Sequence, residues 1–140
     1  MGAFKRVVLA VDGSDNSKRA VDLVKKIAQS GDLHVTVVHV VQPVYHTAGA
    51  YGVSRLDMQE EAGRKILADA QAALSETGAE VETRLLTGKI GEEICNLANN
   101  GEYDLIVIGR RGVSRLERVV LGSVSEYVIR HSRLPVTIVQ

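Results

Sequence analysis

The chain has 140 residues, of which 45% are hydrophobic and 24% charged, proportions typical of a globular protein with one domain of ordinary size. Lys and Arg number 17, as do Asp and Glu, and the resulting zero net charge argues against a nucleic-acid partner held by bulk charge. The lone cysteine excludes an internal disulfide. No apolar run approaches the roughly 20 residues that span a bilayer, and the N-terminus lacks the pattern of a secretory signal, so we expect a cytoplasmic protein without membrane insertion.

The N-terminal half alternates apolar strands with amphipathic segments. Phe4–Val11 is rich in β-branched residues and predicts a strand, and the following Asp-Gly-Ser-Asp is a helix-start signal. Apolar residues at helical spacing predict a helix that covers Ala20–Ala28. Leu33–Val41 is almost entirely apolar, as expected of a strand covered on both faces. The Pro- and Gly-containing segment Gln42–Val53 predicts a long loop, and a long helix is predicted from about Ser54 to Thr77.

The C-terminal half continues the same alternation. Val81–Leu85 alternates apolar and charged residues, which is typical of an edge strand with one wet face. Further elements are a helix at Ile90–Asn100, a strand at Leu105–Ile108, a second long loop at Arg110–Leu121, a helix at Ser123–Ser132 and a strand at Pro135–Val139. Strands that alternate with helices indicate an α/β fold, in which an open five-stranded parallel sheet carries helices on both faces.

The most consistent strand order is 3-2-1-4-5, which places the third strand at an edge and the first and fourth strands in the centre. In this order the direction of winding reverses between the first and fourth strands. Ligands of open α/β sheets bind at the carboxyl ends of the strands at such a switch point. The prediction therefore brings Ala10, Val11 and Asp12 into one crevice with Ile108 and Gly109.

The second long loop carries a spaced set of small residues. Gly109 and Gly112 are separated by two residues, and nine further residues precede the pair Gly122-Ser123. Because Gly109 and Gly112 lack a Cβ, their backbone can approach a ligand closely and can adopt positive φ. Gly122 and Ser123 lie at a predicted helix N-terminus, where N–H groups and the helix dipole favour an anion, and Ser123 is the expected N-cap.

Positive charge is concentrated in the same part of the chain. Six Arg and two acidic residues lie between Leu105 and Gln140, against eleven basic and fifteen acidic residues between Met1 and Asp104. Four of these arginines belong to the loop: Arg110, Arg111, Arg115 and Arg118. Glycines, a helix start and arginines together suit a di- or triphosphate, although neither a G-x-x-x-x-G-K-[ST] nor a G-x-G-x-x-G motif is present.

With these motifs the chain resembles the universal stress protein family over essentially its whole length. The resemblance is carried by VVLAVDGSDNSKRAV, the HVV that ends the second strand, DLIVIGRRG, LGSVSEYVIRHS and the closing LPVTIV. It implies a Rossmann-like fold, and the Gly-2x-Gly-9x-Gly-Ser spacing implies the branch of the family that binds ATP. Arg110 departs from the small polar residue often found after the first glycine.

The resemblance also implies a role for individual residues. Ala10 and Asp12 would lie by the adenine and the ribose, and Val40 would lie behind the adenine. The β- and γ-phosphates would lie along the loop residues Gly109, Arg111, Gly112 and Arg115. The start of the helix would hold phosphates through Gly122, Ser123 and Val124. The full candidate set for ATP, with Mg²⁺, is Ala10, Val11, Asp12, Val40, Gly109, Arg110, Arg111, Gly112, Arg115, Gly122, Ser123 and Val124.

Structural interpretations stand beside the functional ones. Asp12 is also suited to a helix-initiating turn, and Ser123 to a helix cap in either case. The loop arginines are also suited to solvent exposure or to pairing across a dimer. His34 and His39 are expected to be packed or hydrogen-bonded rather than metal ligands, and Cys95, beside Ile94, to belong to the core.

The leading hypothesis is an ATP-binding regulatory module that signals through the bound nucleotide and a surface for an unknown protein client. One alternative is a slow ATPase or nucleotidyl-transfer enzyme, although no general base stands out in the sequence. Another is a nucleotide-independent interaction protein of the same fold. The short apolar strand Val136–Val139 is expected to be an uncovered edge, and the resemblance implies a homodimer formed through it.

Overall fold

The computed structural model describes residues 4–29, 31–43, 50–109 and 122–140, and residues 50–55 by their backbone alone. Within these ranges strands and helices alternate along the chain. The strands are β1 (Arg6–Ala10), β2 (His34–Val41), β3 (Glu80–Thr87), β4 (Leu105–Gly109) and β5 (Val136–Val139). The helices are α1 (Asp15–Ala28), α2 (Ala50–Ser75), α3 (Ile90–Asn100) and α4 (Ser123–His131).

The strands form one parallel sheet in the order β3-β2-β1-β4-β5, which confirms the predicted α/β class and the predicted order. The central strand β1 pairs with β2 on one side and with β4 on the other, and Ala10 is in register with both Val38 and Ile108. These three residues therefore lie side by side at the carboxyl ends of their strands. The predicted switch point is located between β1 and β4.

Both faces of the sheet are covered by helices, because successive strand residues point to opposite sides. Val7 and Leu9 belong to the core on the side of α1 and α2, whereas Val8 and Ile106 belong to the core on the side of α3 and α4. All four side chains are fully buried. Of the helices in the described residues, none combines the length and the apolar character needed to cross a membrane.

Two element boundaries differ from the prediction. Helix α2 begins at Ala50 rather than at Ser54, within the segment predicted to be a loop. Gly52 favoured the prediction of a loop here. A glycine costs a helix only about 1 kcal/mol relative to alanine, so the helix can include Gly52 and begin before it. Strand β3 extends beyond Val81–Leu85 at both ends because it pairs with β2 along its full length.

The structural interpretations of His34 and Cys95 are confirmed. The imidazole of His34 is half-buried, with Nδ1 3.4 Å from Oε2 of Glu80 and Nε2 3.6 Å from Oε2 of Glu82. Cys95 is buried, its Sγ lies 4.0 Å from the carbonyl oxygen of Val128, and burial raises the pKa of its thiol. A buried thiol with a raised pKa has little thiolate character, so Cys95 belongs to the packing of α3 against α4.

Candidate functional site

A cavity of about 110 Å³ opens at the carboxyl ends of β1 and β4, at the switch point of the sheet. Six residues of the candidate set line it, which are Ala10, Val11, Asp12, Val40, Gly109 and Val124. The strand ends supply most of them because parallel strands all finish at this edge. The start of α4 contributes Val124.

The other half of the candidate set has two locations. Gly122 and Ser123 immediately precede Val124 at the start of α4, although neither is among the described residues that line the cavity. Arg110, Arg111, Gly112 and Arg115 lie outside the described residues. The structure therefore brings the strand ends and the helix start together, and the arginine-rich loop stays a prediction.

Part of the cavity wall was not predicted from the sequence. These lining residues are Ser17, Val38, His39, Ile90, Ile94 and Ser125. Val38 carried a usable signal, because it lies two residues before Val40 and a strand turns every second side chain to the same face. Ile90 and Ile94 carried another, since their four-residue spacing places both on one side of a helix that begins at the carboxyl edge.

The turn between β1 and α1 is held by its own polar groups. The backbone N–H of Asp12 donates to Oγ of Ser17 at 3.0 Å, and the N–H of Ser14 donates to Oδ1 of Asp12 at 2.9 Å. Ser14 is the N-cap of α1, and its Oγ accepts the N–H of Ser17 at 3.1 Å. Between them Gly13 adopts a φ of +82°, which side chains disfavour.

Asp12 therefore fits both interpretations that the sequence left open. Its carboxylate initiates the turn through Oδ1, and the residue also lines the cavity. A carboxylate carries several acceptor sites on two oxygens, so the turn bond is compatible with a further contact to a ligand.

The start of α4 differs from the prediction by one residue. Its N-cap is Gly122, with φ −64° and ψ 158°, and Ser123 is already the first helical residue. No described side chain caps this helix, so the prediction that Ser123 is the N-cap is wrong. A capping side chain must come from the extended residue that precedes the helix, and here that residue is a glycine. In the first turn, Glu126 forms an ion pair with Arg130 at 2.8 Å.

Gly109 is required by a contact with α1. A Cβ atom at Gly109 would lie 2.6 Å from the backbone carbonyl group of Asn16 and 2.6 Å from the backbone nitrogen of Ser17. The described glycines with positive φ are Gly13, Gly31, Gly78 and Gly88, so Gly109 does not use the positive φ that a glycine permits. The missing Cβ allows the end of β4 to touch the first turn of α1, while the pairing of β1 with β4 brings the two strand ends together.

His39 is hydrogen-bonded, as predicted, and its partner belongs to the site. Its Nδ1 lies 2.8 Å from the carbonyl oxygen of Val11, and the N–H of Val11 donates to the carbonyl of Val38 at 2.9 Å. Val11 is one residue beyond the end of β1, yet β2 engages both of its backbone polar groups. The segment that leads to Asp12 is therefore fixed to the neighbouring strand.

Two solved structures similar to this chain contain an adenine nucleotide. A universal stress protein in complex with cAMP is 32% identical, with a TM-score of 0.76 and coverage of 99% of each chain. The universal stress protein from Archaeoglobus fulgidus in complex with dAMP is 26% identical, with a TM-score of 0.73 and coverage of 100% of each chain.

Proteins similar in sequence are also universal stress proteins. Universal stress protein YxiE of Bacillus subtilis is 34% identical over 148 residues, which cover 98% of this chain and 99% of that protein. The universal stress protein family itself matches residues 3–140. With this match and the sheet order on which the site depends, the chain belongs to the universal stress protein family.

Proposed function

We propose that this protein binds an adenine nucleotide, ATP with Mg²⁺, at the carboxyl ends of β1 and β4 and acts as a regulatory module in the cytoplasm. The observation that carries the proposal is the cavity at the switch point, whose lining includes Ala10–Asp12 and Val124 of α4. The complexes of similar proteins with cAMP and dAMP support an adenine nucleotide as the ligand class.

The base and the sugar would occupy the part of the cavity formed by the strands. Ala10, Val38, Val40 and Ile94 are buried and apolar, and such a lining suits the faces of a purine ring. Asp12 lies at the end of this apolar lining, where its carboxylate would accept hydrogen bonds from the ribose hydroxyl groups.

The phosphates would lie at the start of α4. The first N–H groups of a helix have no acceptor within the helix, and the helix dipole favours negative charge there. Gly122, with no side chain, leaves room for a phosphate oxygen in front of these groups. The proposed phosphate-binding residues are Gly122, Ser123 and Val124, completed by Arg110, Arg111, Gly112 and Arg115 from the loop. Mg²⁺ would be held by phosphate oxygens, with Asp12 and Asp15 as the proposed carboxylates.

Isothermal titration calorimetry with ATP, ADP and AMP in the presence of Mg²⁺ tests this function, together with native mass spectrometry of protein purified from cells. The variant Gly122→Val should bind ATP at least about tenfold more weakly, because its branched side chain would occupy the phosphate position. The backbone angles at Gly122 are open to any residue, so the unfolding curve should change little.

Two results would overturn parts of the proposal. A wild-type protein that binds none of the three nucleotides and carries none from cells would remove the function itself. Wild-type affinity in Gly122→Val would instead remove only the placement of the phosphates. Hydrolysis measured in the same samples tests the enzymatic alternative, which predicts turnover that disappears in Asp12→Ala while ATP still binds.

We also propose that two copies pair through β5. This strand is the edge of the sheet beside β4, and its residues are apolar apart from Thr137. An open strand edge presents unpaired N–H and C=O groups to another chain. In Ile138→Lys, analytical ultracentrifugation should show the 15.1 kDa monomer in place of a species of twice that mass. The control Thr87→Lys changes an exposed residue of the other edge strand and should stay dimeric, and an unchanged mass for Ile138→Lys would contradict the pairing.

A further inference from the structure

The peptide group between Val11 and Asp12 is hydrogen-bonded at both ends. Its carbonyl oxygen, on Val11, lies 2.8 Å from Nδ1 of His39. Its N–H, on Asp12, donates to Oγ of Ser17 at 3.0 Å. A carbonyl oxygen can only accept, so Nδ1 of His39 carries the hydrogen and is the donor. The plane of this peptide group is thus set by β2 on one side and by α1 on the other.

The ring of His39 is itself held by α2. A Cβ atom added to Gly63 would lie 2.7 Å from Cδ2 of His39, 3.3 Å from its Nε2 and 2.9 Å from Cδ1 of Leu85. Gly63 is buried, and its missing side chain lets the helix backbone lie directly against the imidazole. The ring is therefore confined between the helix and the sheet with Nδ1 directed at Val11.

We propose that His39 is a positioning residue for the nucleotide and acts through the peptide group that precedes Asp12. This inference rests on the function proposed above. Release of that peptide group would let the φ of Asp12 change, and a change in this angle turns the Asp12 side chain relative to the preceding strand. His39 supplies the hydrogen bond that opposes this rotation from the side of β2, whereas the Ser17 bond opposes it from the side of α1. His39 also lines the cavity, but in this proposal it acts by setting the direction of the carboxylate through the peptide group.

Substitutions with different donor positions test this role. In His39→Leu the donor is lost, and ATP should bind about tenfold more weakly, the effect expected when one hydrogen bond no longer orients a contact group. His39→Asn places an amide N–H near the former Nδ1 and should restore affinity to within about threefold. His39→Gln places its amide nearer the former Nε2 and should resemble His39→Leu. His34→Leu, on the same strand but at its other end, should bind ATP like the wild type.

A nucleotide without ribose hydroxyl groups separates positioning from general damage. If His39 acts through Asp12 on the ribose, 2′,3′-dideoxy-ATP titrated without Mg²⁺ should bind wild type and His39→Leu with equal affinity, because the ribose contact is already missing and no metal ion links the phosphates to Asp12. Amide hydrogen exchange supplies a readout without ligand, and the Asp12 N–H should exchange about tenfold faster in His39→Leu as its peptide group is released.

The outcomes keep this inference distinct from the proposed function. If the wild type binds no nucleotide, both fall. If the wild type binds ATP and His39→Leu binds it equally well, the positioning role alone is wrong. Equal weakening of ATP and dideoxy-ATP in His39→Leu would also overturn it, because that pattern indicates loss of packing rather than loss of direction at Asp12.

Discussion

Three helices begin beside the cavity, and the N-termini of two of them, α1 and α4, are built in opposite ways. The N-cap of helix α1 is Ser14, whose Oγ accepts the N–H of Ser17 at 3.1 Å. The N-cap of helix α4 is Gly122, which has no side chain that could accept a hydrogen bond. A capped start uses part of its donor capacity within the protein, whereas an uncapped start keeps that capacity for an anion.

This difference divides the site into an acceptor side and a donor side. The turn at α1 uses N–H groups internally and presents the carboxylate of Asp12 beside the cavity. The start of α4 presents N–H groups and the positive end of a helix dipole. A nucleoside phosphate has matching ends, because its ribose hydroxyl groups donate hydrogen bonds and its phosphates accept them. The contrast between the helix starts thus supports the orientation proposed for the nucleotide.

The contact between the end of β4 and the first turn of α1, on the acceptor side, should be the most sensitive to mutation. Gly109→Ala would place a Cβ 2.6 Å from backbone atoms of Asn16 and Ser17, so β4 and α1 would have to move apart. We expect a loss of about 3 kcal/mol in the free energy of unfolding, measured by urea denaturation.

Gly91→Ala is the matched control for this prediction. The added Cβ would come within 2.7 Å of the Tyr127 ring, but a side chain can shift where a backbone cannot. The loss should therefore be clearly smaller than in Gly109→Ala. Wild-type stability in Gly109→Ala, combined with lost ATP binding, would instead show that Gly109 is required by a ligand alone.

The two serines at the helix starts test the comparison directly. Ser14→Ala removes the acceptor for the Ser17 N–H and should lower the free energy of unfolding by about 1 kcal/mol. Ser123→Ala changes an exposed residue that follows the N-cap and should stay within about 0.5 kcal/mol of the wild type. Both values come from urea unfolding curves without nucleotide. Equal losses would mean that α4 is capped by its own serine after all.

The fold could be predicted because its signals are local and repeated. Apolar runs such as that of β2, separated by helical periods, specify the order of elements, and the charged alternation in β3 identifies an edge strand. From that order the switch point follows, and with it the location of Ala10, Asp12 and Gly109. This part of the site was accessible from the sequence because topology alone determines which strand ends meet.

What could not be predicted depends on distances between distant parts of the chain. The Gly109 pattern indicates that a Cβ is not tolerated, but not that the first turn of α1 is the obstacle. For His39, strand alternation indicates a face of the sheet, whereas its bond to Val11 depends on how far the chain continues beyond β1. At α4 the predicted N-cap, Ser123, is one residue later than the observed N-cap, Gly122. Sequence patterns locate a helix start only to within one or two residues.

An equally small change in stability is expected on the acceptor side, where it separates the two uses of Asp12. Asp12→Asn keeps an oxygen that accepts the N–H of Ser14, so the free energy of unfolding should change by less than about 0.5 kcal/mol, whereas Asp12→Ala should cost about 1 kcal/mol. ATP binding should weaken in both variants, because the neutral amide loses the charge that strengthens hydrogen bonds from ribose. Calorimetric titration and urea unfolding of the same samples measure the two effects. If Asp12→Asn lost as much stability as Asp12→Ala, the start of α1 would depend on negative charge rather than on a hydrogen-bond acceptor, and both helix starts would then be sites where an anion meets a helix dipole.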